Sequence, residues 1–285
     1  MQLKGAMGFS QGGKKVQSYL DYEEFELLNN TLELKTTISS QLSNITLFAN
    51  SLAYDISPAY ILNNQAYYLW DMRAGIPDSA DLCGRQLNFN FEGVIPPATE
   101  LSYFHEDFKL SFTKRDLYDT LFLRYHYALN ETSEQFHFQN EATPVRSWVK
   151  MTLNPKLQYP MDKSAVYTLS SKGSLGYVGG KWNNGAITFA TRDLTKYTIA
   201  TDTIAPSIKL KKSNRDIIEF YIGDDMSGIK SYRGEINGEW LLLKYDYKRD
   251  LLQSEKKINI PFQGEFILTV SDNAGNEEIY TTKIQ

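Results

Sequence analysis

Ile217-Ile218-Glu219-Phe220-Tyr221-Ile222-Gly223-Asp224-Asp225-Met226-Ser227-Gly228 is the stretch that decides the fold. Its first half alternates at period two. Ile218, Phe220 and Ile222 fall on one side and Ile217, Glu219 and Tyr221 on the other, which fits a half-buried strand and no helix. Its second half is turn chemistry, because Asp and Ser side chains hydrogen-bond their own backbone and Gly accepts positive φ without a Cβ clash. The same couplet of strand and polar turn recurs at Asp202-Thr203-Ile204-Ala205-Pro206, Asn237-Gly238-Glu239-Trp240 and Asp272-Asn273-Ala274-Gly275-Asn276. The region reads as a small β-sandwich. Glu239-Trp240-Leu241-Leu242-Leu243 is its most apolar strand, and Trp240 is expected to anchor the core.

Composition extends this reading to the whole chain. Of 285 residues, 42% are hydrophobic and 13% aromatic, with 19 Tyr and 15 Phe; such wealth suits pleated, half-buried surfaces, so an all-β protein of two or three domains is expected. The net charge is −4 and no Lys/Arg block is long enough to track phosphates, which argues against nucleic acid as a partner. No run reaches the ~18–20 apolar residues of a membrane span, and Met1 to Tyr19 has no apolar core of signal-peptide length. Cys83 is the single cysteine. An intramolecular disulfide is therefore excluded, and a buried, inert thiol is expected.

Upstream of the sandwich the same patterning continues. Gly5, Gly8, Gly12 and Gly13 mark residues 1–20 as a flexible segment. Gly8 to Lys14 has the spacing of a phosphate loop, but Lys15 stands where a Mg²⁺-binding hydroxyl belongs. Residues 21–95 read as a small antiparallel β-domain with strands near 31–38, 44–50, 53–56, 66–73 and 87–91, and a loop at Pro77-Asp78-Ser79. Pro96-Pro97 interrupts strand pairing and opens a second β-sandwich over 96–202. Its strands are expected near 108–112, 120–127, 135–138, 148–153, 165–169, 177–178, 186–190 and 197–200, with Asn184-Gly185 a type I′ hairpin turn. Pro206 marks the hand-over to the last domain, 203–285.

Four signatures in this order resemble a known family: Asp-Thr-x-x-Pro at 202–206, Asp224 to Tyr232, Asn237 to Trp240 with Lys244 to Asp246, and Val270 to Asn276. They are similar to the C-terminal Ig-like domain of lysostaphin-like zinc metallopeptidases, which cleave peptidoglycan cross-bridges, in the long-tailed form of Gram-negative bacteria. Tyr67 to Asp78, Leu117 to Leu121, Tyr177 to Trp182 and Tyr197 to Asp202 are similar to the same tail. The resemblance implies tandem antiparallel β-sandwich domains with an Ig-like last one, a place in the periplasm or cell envelope if the chain belongs to an exported parent, and peptidoglycan or an envelope protein as partner.

That family holds zinc with His-x-x-x-Asp and His-x-His. Neither motif occurs here: Lys109, Asn130 and Glu141 stand four residues after His105, His126 and His137. Zinc is thus expected only in an upstream domain, no cofactor in this chain, and no enzymatic role. His126 and His137 each sit between two aromatics on a strand and read as structural. His105-Glu106-Asp107 reads as a charged loop, since adjacent strand residues point to opposite faces. Tyr67, Trp70 and Trp182 are candidate sugar-stacking residues, against core packing as the alternative. Asp202, Asp224, Asp225, Asp272 and Asn273 supply oxygens that calcium would accept, although turns capped by Asx side chains need no ion. The overall expectation is a non-catalytic accessory, scaffolding or substrate-binding region. The alternative is a free-standing glycan- or protein-binding Ig-like module of the envelope.

Overall fold

The computed structural model describes residues 25–28, 30–38, 43–140, 143–256 and 260–285; the Gly-rich segment 1–20 lies outside them. Every regular element among these residues is a strand, and neighbouring strands pair antiparallel. The chain is all-β, built of tandem antiparallel sandwiches, as its alternation requires. Contacts divide it after Phe89.

The first unit carries β1 (Phe25–Leu28), β2 (Thr31–Thr37), β3 (Ile45–Ala49), β4 (Leu52–Ile56), β5 (Tyr60–Leu62), β6 (Gln65–Asp71), β7 (Pro77–Asp81) and β8 (Gln86–Asn88). They form two four-stranded sheets, ordered β1-β2-β6-β5 and β4-β3-β7-β8. In β6 alternation sends Ala66, Tyr68 and Trp70 inward. Their buried donors are satisfied, Tyr68 by Ser43 O at 2.7 Å and Trp70 Nε1 by Gly75 O at 2.7 Å, as buried polar groups require. Pro77-Asp78-Ser79 is not a loop. Pro77 takes the first position of β7, where its missing N–H costs no ladder bond, and it pairs with Ala49 across a bulge. Cys83 is not buried either; it is exposed with φ 58° in the β7–β8 turn.

In the second unit come β9 (Phe91–Ile95), β10 (Leu101–Phe104), β11 (Phe108–Phe112), β12 (Leu121–Leu129), β13 (Glu134–Phe138), β14 (Val149–Leu153), β15 (Ser164–Leu169), β16 (Leu175–Gly179), β17 (Lys181–Asn183), β18 (Ala186–Thr191) and β19 (Lys196–Thr201). A five-stranded sheet, β10-β11-β14-β18-β17, faces a six-stranded one, β16-β15-β19-β13-β12-β9. β9 pairs with β12 and buries Ile95 in this sandwich's core. The break therefore precedes β9 rather than falling at Pro96-Pro97. The core is aromatic: Phe108 meets Tyr125 and Phe138 edge-on, with ring centroids 4.6 and 4.8 Å apart. Each fully buried Phe contributes roughly 1.5–3 kcal/mol.

The same unit ends in β20 (Ser207–Ser213), β21 (Ile218–Gly223), β22 (Ile229–Ile236), β23 (Glu239–Leu241), β24 (Leu243–Asp246), β25 (Leu251–Ser254), β26 (Gly264–Asp272) and β27 (Glu277–Ile284). The sheets run β20-β21-β25-β24 and β23-β22-β26-β27. Lettered A to G along the chain with β23 as C′, this is the A-B-E-D over C′-C-F-G arrangement of an Ig-type sandwich. Ile218, Phe220 and Ile222 lie inside, as their alternation demands. Trp240 does not anchor this core and is 54% exposed. The chain crosses from one sheet to the other at Leu242, so Leu241 and Leu243 both turn inward and Trp240 is left on the outer face.

Candidate functional site

Two places in the second unit gather polar and aromatic side chains at the margin of the core. The first lies beside the β17–β18 hairpin. Trp182 is half-buried, and its Nε1 donates to Ser164 O at 2.7 Å. The segment between β14 and β15 arches over it, with the Tyr159 ring 6.2 Å from the indole at an interplanar angle of 35°. Glu134, fully buried, fixes that segment by accepting from Lys156 N at 2.8 Å and Leu157 N at 2.6 Å. Both rings line a cavity of about 280 Å³ that is also bordered by Asn154, Gln158, Met161 and Asn184. The Tyr159 hydroxyl itself is shielded from solvent and lies near Glu134. Its pKa is pushed up by burial first and by the nearby Glu134 charge second. Aromatic rings beside three side-chain amides suit a ligand that carries both apolar faces and hydroxyls.

The second place is acidic and sits where β19 hands over to the last sandwich. Asp202 follows β19, Asp224 follows β21 and Asp272 closes β26; carboxylate oxygens of all three lie within 4.8 Å of one another. Asp202 and Asp272 are fully buried and Asp224 half-buried. At that spacing two like charges repel by about 3 kcal/mol or more at an effective dielectric of ~20. Backbone and amide donors offset part of this. Asp202 accepts from Ile204 N and Ser227 N at 3.1 and 3.2 Å, and Asp224 from Met226 N and Gly228 N at 3.1 and 2.7 Å. Asp272 accepts from Asn276 N and Nδ2, both at 2.8 Å. No Lys, Arg or His pairs with these carboxylates among the described residues. Lys163 Nζ reaches Ala274 O at 3.1 Å and Asn276 Oδ1 at 2.8 Å instead.

Of the five oxygen donors read from the sequence, the fold thus brings three together. Asp225 is exposed, and Asn273 turns its Nδ2 to Ser227 O and Gly228 O at 2.8 and 3.1 Å. Of the three stacking candidates Trp182 lines this cavity and Tyr67 and Trp70 do not. Trp70 is interior, and the Tyr67 ring is stacked on Tyr60 with centroids 4.5 Å apart. Sequence reading did not find Tyr159, whose segment has no periodicity, or Tyr167, which looked like an ordinary strand residue.

The histidines keep their expected alternation: Tyr125, Phe136 and Phe138 fill the core while His126 and His137 stand opposite each other on the other face. Burial pulls the His126 pKa down, with His137 and Lys196 adding to the effect. His105-Glu106-Asp107 is the expected charged loop, between β10 and β11. Asp107 is buried, paired with Lys156 Nζ at 2.8 Å and bonded by the Tyr125 hydroxyl at 3.2 Å.

Against known proteins, the family model described as a Zu5-like domain matches residues 94–202, under half of the chain. That span is the second sandwich, from the end of β9 to Asp202. No curated protein matches. Among solved structures, a polysaccharide lyase aligns over 87% of this chain and 40% of its own length, at 9% identity and a TM-score of 0.20. A likeness that slight carries no argument about fold or activity.

Among the described residues no helix is long and apolar enough to cross a membrane.

Proposed function

We propose that this chain is a non-catalytic accessory region whose second sandwich binds glycan, and that the glycan is that of peptidoglycan. The observation that carries the reading is the cavity lined by Trp182 and Tyr159, with its ring pair and its amides Asn154, Gln158 and Asn184. Sugar rings present apolar C–H faces to an indole and hydroxyls to amides, so this lining matches them in both respects. Peptidoglycan as the source rests on the resemblance to the tail of lysostaphin-like peptidases, in which the tail accompanies a zinc domain that does the cutting.

Titration calorimetry with muropeptides from digested sacculi tests it. The full chain is expected to bind them. Gln158→Ala, an exposed change at the cavity rim, and Trp182→Ala should each weaken binding about tenfold, or ~1.4 kcal/mol. Trp240→Ala should leave it unchanged. No binding, or equal binding by the Gln158 and Trp182 variants, overturns the glycan site, and cleavage of the muropeptides during the titration overturns the non-catalytic reading.

A further inference from the structure

We propose that Asp202, Asp224 and Asp272, together with the Tyr167 hydroxyl, form a site for one calcium ion that clips the second sandwich to the last one. The spacing is right for a shared ion. Two oxygens bound to the same Ca²⁺ at 2.3–2.6 Å can be at most about 5 Å apart, and the three carboxylates fall within 4.8 Å. An ionised carboxylate has about four acceptor positions. Each of these three takes two N–H donors, which leaves positions over on every one. Negative charge buried without a cationic partner is costly, and none of the described Lys, Arg or His residues supplies one.

Tyr167 gives the independent indication. On β15 its neighbour Val166 points into the core of the second sandwich, whereas Tyr167 leaves by the opposite face and is still fully buried. Its hydroxyl has no hydrogen-bond partner. Burial raises its pKa first, and then the charges of Asp202, Asp224 and Asp272 do, so the phenol sits within electrostatic reach of all three carboxylates. A buried O–H within electrostatic reach of three acceptor-rich groups, yet bonded to none, leaves a position to be filled by an ion or by its bound water. Tyr177, 5.5 Å from Tyr167 between ring centroids, is raised by burial and then by Asp272. The second sandwich thus contributes a tyrosine pair and Asp202, and the last one contributes two turns.

The choice of calcium follows from the donor set. All the ligands are hard oxygens and no His or Cys takes part; Ca²⁺ accepts six to eight such oxygens in flexible geometry, whereas Mg²⁺ demands a near-ideal octahedron and keeps several waters. An ion held in this way would tie the end of β19 to the β21–β22 and β26–β27 turns and restrain bending at 202–206.

The test uses the full chain after chelator treatment. Calcium is titrated to about 10 mM, beyond the millimolar range of extracellular modules, and followed by calorimetry. Terbium luminescence excited through tyrosine is read in parallel. Wild-type protein should bind a single ion, weaken at least tenfold with Asp224→Asn, and lose several-fold terbium emission with Tyr167→Phe. Asp224→Asn keeps an oxygen for the Met226 and Gly228 amides, so the turn should survive it. Asp225→Asn should bind like wild type. Calcium should also slow proteolysis at 202–206 in the wild type and not in Asp224→Asn. Absence of saturable binding, or wild-type affinity in Asp224→Asn, overturns the proposal.

Discussion

Two hairpins of this protein are built alike and treat their tryptophans in opposite ways. Asn184-Gly185 joins β17 to β18, and Asn237-Gly238 joins β22 to β23; in each the Asn has φ 50° and the Gly φ 82°, the paired positive angles of a type I′ turn. Each turn abuts a three-residue edge strand with Trp at its centre. Trp182 is partly buried and Trp240 is 54% exposed. The cross-strand partners account for the difference. Trp182 stands opposite Ile187, a core residue, and its own neighbours Lys181 and Asn183 are exposed. Trp240 stands opposite Glu235, and the inward place on its strand belongs to Leu241. Turn chemistry sets the register of a hairpin; which face meets a core is set elsewhere.

The largest test of that comparison is Trp182→Ala. It removes a half-buried indole and leaves the Ser164 carbonyl without its donor, so it should lower stability by about 2–3 kcal/mol, below the range for a fully buried Trp. Urea melts of the full chain measure it. A loss under about 0.5 kcal/mol would mean that the indole sits on the sandwich without supporting it.

Smaller, and aimed at the turns themselves, is the contrast between Asn237→Ala and Asn184→Ala. Both put Ala at positive φ, at a cost of about 1 kcal/mol. Asn237 also ties its hairpin to the neighbouring chain, donating from Nδ2 to Gln263 O at 3.1 Å and accepting at Oδ1 from Glu265 N at 2.9 Å. Asn184 has no such side-chain bonds among the described residues. Asn237→Ala should therefore cost about 2 kcal/mol and Asn184→Ala about 1. Equal losses would show that the anchor to 263–265 contributes nothing.

These residues also show how far the sequence could be read. Period-two alternation located strands such as β11 at its observed bounds, because a half-buried strand needs no knowledge of its partner. Both Asn-Gly turns were legible, since positive φ is a local demand. The aspartates were legible as oxygen donors, but which of them converge was not, because Asp202, Asp224 and Asp272 meet only once two sandwiches are assembled. β7 was hidden by Pro77, which reads as a breaker until its place at the first strand position is known. β9 could not be assigned to the second sandwich, because its partner β12 lies across the Pro96-Pro97 interruption.

The smallest expected effect is at Trp240, where sequence and structure part most sharply. Trp-Leu-Leu-Leu is apolar without a break, so alternation cannot tell which of two registers faces the core, and the largest side chain is the natural choice for it. The switch between sheets at Leu242 decides otherwise: Leu241 and Leu243, each 8% exposed, take the interior on either side of the switch. Trp240→Ala then removes an indole that is more than half in water and leaves the core of Phe220, Phe266 and Leu268 intact. Its cost should stay within about 0.5 kcal/mol, the usual range for surface changes. In a variant whose other tryptophans are replaced by Phe, Trp240 emission should be red-shifted and quenched efficiently by acrylamide. A loss near the ~3–5 kcal/mol of a buried Trp, or a blue-shifted and protected emission, would restore Trp240 to the interior and require β23 to pair one residue out of register.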